Sequence, residues 1–404
     1  MTINIIPFFS SVSPVGLSKD ILKEIEQDGV NILGTDSEVT PSDSTYIFIG
    51  TGGTENDVSK FLEEARLSSP VILLSYDERN SLPAAMEIRS YLDRKGIDAR
   101  IVHMPLSQLR ALLGRWSKYN DIMEFLKQAK LGVIGEPSSW LIASHVNPQR
   151  VKTRWGIDIE DITIDELAKK LPSEISKEFL DHVHAFESKA TCQSVSDDEI
   201  EKAGIVAQRL SELTKSEKLA AVTVQCFSLL QDTGISGCYS LSFLNDTEDF
   251  VAGCEGDIPA TFTMLLARLL TGSPSFMANV ASVDQELNTA VFAHCTISTS
   301  ITDNYEITNH FETGLSIGIR GKLPLSEVTI LKVFGEDLNE FWVSGGTIID
   351  NLVNDKGCRT QIRVVMDESV DYFLEESLAN HHIIIPGDHV QEIIEFFDFV
   401  NREH

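Results

Sequence analysis

The chain has no Cys-x-x-Cys pair, no His-Glu-x-x-His metal motif and no apolar run near the roughly 18 residues of a membrane span. Its six cysteines (Cys192, Cys226, Cys238, Cys254, Cys295, Cys358) are scattered over 404 residues. That scatter argues against a disulfide framework or a zinc knuckle and reads as reduced, buried thiols. Positive charge is scarce as well: 33 Lys and Arg stand against 61 Asp and Glu, for a formal net charge of -28. Such a surface repels phosphate backbones and anionic headgroups, so neither nucleic acid nor membrane is expected as a partner. Met1–Pro7 lacks a basic n-region and a long apolar core, and a cytoplasmic protein is expected.

What the chain does have is apolar material, 42% of its residues, in a length that calls for two or three domains. The first third alternates strand and helix patterns: Ile3 to Phe9, Tyr46 to Ile49, Val71 to Leu74 and Ala99 to Val102 as strands, with helical stretches such as Asp57 to Ala65 and Pro83 to Lys95 between them. Alternation of this kind implies βαβ units and a parallel sheet. Tyr46–Ile49 runs into Gly50-Thr51-Gly52-Gly53-Thr54-Glu55, which reads either as a tight glycine turn or as a sugar- or anion-contacting loop. Leu131–Ile134 opens a second unit and runs into Gly135-Glu136-Pro137-Ser138-Ser139-Trp140. Here an acid and an aromatic face suit a sugar, unless Trp140 packs between domains. Ser196 and Glu199 form a capping box before a long helix, Leu219 to Phe227 reads as a buried strand, and Ala260 to Leu270 as a helix. After Asn279 short β-branched runs dominate: Thr289–Cys295, Leu315–Ile319, Glu327–Phe334, Glu340–Val343 and Thr360–Val365. The expected fold is α/β. Two doubly wound parallel-sheet domains, 1–130 and 131–278, precede a β-rich, antiparallel barrel-like domain, 279–404.

Chemistry concentrates at Gly253-Cys254-Glu255-Gly256-Asp257, where two acids sit in a small-residue loop at the head of an apolar helix. A carboxylate so placed could meet a metal or a reactive carbonyl. The late histidines that could join it are His294, closing a strand, His310, and the group His381, His382 and His389. Carboxylate plus imidazole suits Mn, Zn or Fe. The competing reading is a loop acid and a histidine satisfied at a strand end.

The run from Glu255 through Thr271-Gly272 to Phe276-Met277-Ala278-Asn279 resembles the L-fucose isomerase and L-arabinose isomerase group. Ala379-Asn380-His381-His382 resembles that group's Ala-Asn-His segment, and Gly318-Ile319-Arg320-Gly321-Lys322 resembles a loop of the arabinose isomerases. The resemblance covers most of residues 250–390. It implies a three-domain homo-oligomer with a β-rich C-terminal domain, a Mn²⁺-type metal and a small-molecule sugar substrate. Aldose and ketose would interconvert through a cis-enediol. It makes Glu255 a metal ligand and proton-transfer carboxylate and His381 the imidazole ligand. Asn279 then stands at the second acid's position as a neutral ligand. His294, His310 and Asn380 are the expected hydroxyl contacts. Asn279 is the departure, because an amide can ligate a metal but cannot act as general acid or base. Another group, such as Asp257, Asp284 or Glu312, or a water or substrate hydroxyl, would have to take that role. Otherwise the protein binds sugars without isomerising them. The leading expectation is an isomerase of a deoxy or otherwise modified sugar. Arg320, Lys322 and Arg359 could meet an anionic substituent, or simply be solvated.

Overall fold

A computed structural model describes residues 3–37, 45–65, 70–247 and 250–403. The chain forms two compact units, 1–125 with 395–404, and 126–394.

The first unit is a five-stranded sheet in which Val30–Ile32, Ile3–Phe8, Thr45–Ile49, Val71–Ser75 and Ala99–His103 lie side by side in that order, all parallel. This is a doubly wound order. Thr45–Ile49 and Val71–Ser75 are buried along their whole length, which is why they read as continuous apolar runs. Its core joins Ile6, Ile47, Ile49 and Leu73 to Val58, Ala84 and Ile88 of the covering helices. The Gly50–Glu55 segment makes a partly buried turn: Ser10 N–H donates to Thr51 Oγ1 (2.8 Å), and Gly52 N–H to the Arg79 carbonyl (2.8 Å). The terminal helix Val390–Glu403 contributes its last turns to this unit, where Phe396 packs edge-on against Tyr119 and Glu395 pairs with Arg115 at 2.8 Å.

The second unit holds a parallel sheet ordered Val251–Cys254, Ala221–Val224, Lys130–Ile134, Asp158–Ile162, and a closed six-stranded antiparallel barrel. Around the barrel run Phe276–Asp284, Thr289–His294, Thr360–Met366, Glu340–Asn351, Glu327–Phe334 and His382–Pro386. Two expected strands move. The apolar run Leu219–Phe227 is a strand only to Val224, and Cys226 opens a helix to Thr233. A short apolar run does not distinguish the two states. Likewise the strand expected at Leu315 begins at Gly318, after a turn that puts Ser316 at φ 51°. With Asn304–Thr308 it leaves the barrel and pairs beside Cys192–Gln193.

Two helices carry clear capping signals, of which the Ser196 box was expected. Asp197–Glu217 starts with the full Ser196/Glu199 capping box. Ile258–Thr271 is capped by Asp257, whose carboxylate accepts from Ala260 N–H at 2.8 Å, and stops at Gly272 in the left-handed region. This helix is apolar on nearly every face and buried on nearly every face, lodged between sheet and barrel. Thr263 Oγ1 accepts from Val333 N–H (3.1 Å) and ties it to a barrel strand.

Candidate metal centre and active site

Glu255 is the first residue after the strand Val251–Cys254, at the carboxyl end of a parallel sheet, the edge where ligands bind in such folds. Its backbone is left-handed, φ 63°, an uncommon state for a residue with a side chain. Gly256 follows at φ 69°. Three backbone bonds hold the turn: Ser138 N–H to the Glu255 carbonyl (2.9 Å), Gly256 N–H to Val224 (3.2 Å) and Asp257 N–H to Cys254 (3.1 Å). A Cβ on Gly256 would lie 2.7 Å from Pro137 Cα and 2.8 Å from the Glu136 carbonyl oxygen. Both are backbone atoms and neither can swing away. Gly256→Ala is therefore expected to cost about 1–3 kcal/mol and to displace Glu255, seen as a lower urea midpoint together with weaker divalent-cation binding.

The two imidazoles arrive by barrel register. Asn279 pairs with Ala293 and Ala278 with His382, so the strand Phe276–Asp284 lies between the strand ending in His294 and the strand that follows His381. That adjacency brings His294 and His381 to the same mouth as Glu255. His294 Nε2 is 3.7 Å and His381 Nε2 3.5 Å from Glu255 Oε1. One ligand atom from each of the three lies within 4.8 Å of the others.

Beneath them sits a second carboxylate. His381 Nδ1 is 2.8 Å from Asp257 Oδ2, with both residues buried. An ionised carboxylate only accepts, so Nδ1 carries the proton. Burial pushes the Asp257 carboxyl up, but the Lys332 ammonium and His381 outweigh it and hold the group below the usual range. His381 Nε2 is buried and has no hydrogen-bond partner. An orphaned imidazole nitrogen, oriented by a carboxylate on the opposite side of the ring and facing a second carboxylate and a second imidazole, fits a divalent cation. Burial opposes ionisation of Glu255, yet the two imidazoles keep it well below the normal carboxylate range. Burial pulls His381 down, but Asp257 and Glu255 together raise it to about 9. The cluster is thus poised to hold positive charge.

These groups open onto a cavity of about 370 Å³. Asn279, His310, Glu312, Asn380 and Trp140 line it with Glu255 and His294. The Asn279 side-chain oxygen, the atom that would ligate a metal, accepts a hydrogen bond from the Asn380 amide. Burial lowers His310 to about 4, so it is a neutral ring suited to a hydroxyl contact. Trp140 is half exposed, and its indole N–H donates to Glu255 Oε2 at 2.7 Å. Of the Glu136–Trp140 loop, the aromatic lines the cavity, and Glu136 does not among the described residues. Asp257 is committed beneath His381, and Asp284 accepts from the N–H groups of Glu286 and Leu287 in a remote turn. Arg320 and Arg359 point elsewhere: Arg320 pairs with Glu306 (3.0 Å) and Asp355 (3.1 Å), and Arg359 holds the Asn309 carbonyl (2.9 Å).

A larger hollow of about 630 Å³ lies between Phe179, Tyr239 and Phe243, but none of the expected site residues lines it. Sequence reasoning missed Phe227 and five cysteines that line the site cavity: Cys226, Cys238, Cys254, Cys295 and Cys358. Of the six thiols four are buried, Cys358 is half-buried and Cys192 is exposed. Their spacing along the chain carries no signal that they converge.

No family model matches the chain. It is 24% identical over 313 residues to the sulfoquinovose isomerase of Priestia aryabhattai, covering 73% of this chain and 68% of that protein. The sulfoquinovose isomerase of Alkalicoccus urumqiensis is 23% identical over 312 residues, covering 70% and 66%. That of Clostridium sp. (strain MSTE9) is 21% identical over 362 residues, covering 85% and 77%. These likenesses support a relationship to sugar isomerases.

Proposed function

We propose that this protein is a divalent-cation-dependent aldose–ketose isomerase acting on a modified sugar. Sulfoquinovose, for which the relatives are named, is the first candidate substrate. The observation that carries this is the convergence of Glu255, His294 and His381, with His381 Nε2 left unpaired. Glu255, His294 and His381 would hold the cation. When bound, it would supply Lewis-acid polarisation of the sugar carbonyl. The protein's own groups do the rest. Asp257 fixes the His381 ring, Trp140 buttresses Glu255 and offers an aromatic face, and neutral His310, Asn279 and Asn380 address sugar hydroxyls. Mn²⁺ as the native ion and a homo-oligomeric state complete this reading and rest on the resemblance to the fucose and arabinose isomerases; a cytoplasmic setting is proposed with them. A panel of aldoses that includes sulfoquinovose, L-fucose and L-arabinose, assayed with added Mn²⁺, is expected to yield a ketose from at least one. If no sugar gives a ketose and the purified protein retains no divalent metal, the reading is wrong.

A further inference from the structure

An enediol isomerase must carry a proton between C1 and C2, and the position where the fucose-type enzymes have a second acid is Asn279 here. Its amide has no usable proton affinity, and its oxygen is occupied by Asn380. Glu255 is poorly suited to the same task. Oε2 accepts the Trp140 indole N–H and Oε1 faces both imidazoles. A carboxylate with both oxygens so engaged is a weak base.

The cavity wall holds one other acid among the described residues, Glu312. It belongs to the loop between the strands Asn304–Thr308 and Gly318–Lys322, and that loop is pinned on several sides. The Arg359 guanidinium donates to both the carbonyl and the side-chain oxygen of Asn309. Gly314 N–H donates to His310 (2.9 Å), and His310 N–H to Leu315 (3.2 Å). Ser316, at φ 51°, has its hydroxyl held by Ser236 N–H at 3.0 Å. Glu312 is thus presented by a braced turn, with its side chain exposed and its carboxylate free of hydrogen bonds and ion pairs from the described residues. Of the two carboxylates on the cavity wall, Glu255 is engaged on both oxygens and Glu312 is open, an arrangement that divides the work of a site.

Building on the isomerase reading above, we infer that Glu312 is the group that carries the proton between C1 and C2, and so replaces the acid missing at position 279. From aldose to ketose, the Glu312 carboxylate takes the proton from C2. The C2–H electron pair becomes the C1–C2 double bond, and the carbonyl electrons move onto O1. The O2 proton passes to O1, O2 re-forms a carbonyl to C2, and the double-bond pair takes the proton back from Glu312 at C1. Glu312 is regenerated, and no outside oxidant or reductant is needed. Because Glu312 is open to water, its proton exchanges with solvent between the two halves.

The test uses the Mn²⁺-loaded full chain with sulfoquinovose and L-fucose as probes, in D₂O. The expected result is deuterium at C1 of the ketose formed by the wild-type protein. Glu312→Gln is expected to lose on the order of 10²–10⁴-fold in kcat with KM little changed. Glu312→Asp should restore part of that loss. Mn²⁺ affinity by electron paramagnetic resonance should be the same in both variants as in wild type, which also shows that they fold. A Glu312→Gln variant that keeps its kcat, or that loses kcat and Mn²⁺ affinity together, overturns the assignment while leaving the isomerase reading intact. A wild-type protein that yields no ketose from any aldose of the panel above, incorporates no deuterium and retains no divalent metal overturns the isomerase reading itself, and the assignment with it.

Discussion

Glu255→Ala is expected to abolish tight divalent-cation binding and to lower turnover on the order of 10³-fold, the size that follows from losing several kcal/mol of charge stabilisation at a polarised carbonyl. The reason is geometric. Glu255 Oε1 is the common neighbour of His294 Nε2 and His381 Nε2. Without it the two imidazoles face each other with no carboxylate between them to ligate the cation. The measurement is calorimetric titration with Mn²⁺ beside a ketose assay. Glu255→Gln separates the causes, because it keeps the size and an oxygen but removes the charge. If Glu255→Ala binds Mn²⁺ as tightly as wild type, the cation site is placed wrongly.

The second large effect lies one layer down. Asp257→Ala is expected to cost about 3–5 kcal/mol of stability, the usual consequence of removing one partner of a buried charge pair. Asp257 caps the helix Ile258–Thr271, holds His381 and faces Lys332, which is fully buried with no hydrogen-bond partner for its ammonium. Burial lowers the Lys332 proton affinity, and Asp257 is what opposes that. Once Asp257 is removed, the ammonium is left uncompensated in the barrel interior. The double variant Asp257→Ala/Lys332→Met should therefore recover much of the lost stability, though not the orientation of His381. Urea unfolding of the two single variants and the double variant measures the coupling. Strict additivity would mean that the two residues do not sense each other.

Some of this was legible in the sequence because its causes are local. The buried parallel strands show as continuous apolar runs, and the Ser196 capping box and the Asp257 cap sit beside the helices they start. The turn that exposes Glu255 has its small residues in place, since Gly253 and Gly256 tolerate close approach by Thr261 and by the Glu136–Pro137 backbone. Where an apolar run was too short to favour one period, as at Leu219–Phe227, the reading failed at the point where the strand becomes a helix.

The site itself was only half visible. Glu255 and His381 stood out from their motifs, but His294 was read as a hydroxyl contact, and the structure brings it to the same point as those two. Its position follows from the order in which the six barrel strands close, a long-range pairing that leaves no periodic trace around residue 294. The support of His381 by Asp257, the burial of Lys332 behind that pair and the presence of Glu312 in the cavity are of the same kind. The sequence alone therefore determined the layers and the chemistry at hand, because propensity, capping and hydrophobic period act over a few residues. Tertiary structure decided which carboxylates and imidazoles meet, because that depends on strand order and register between segments far apart in the chain.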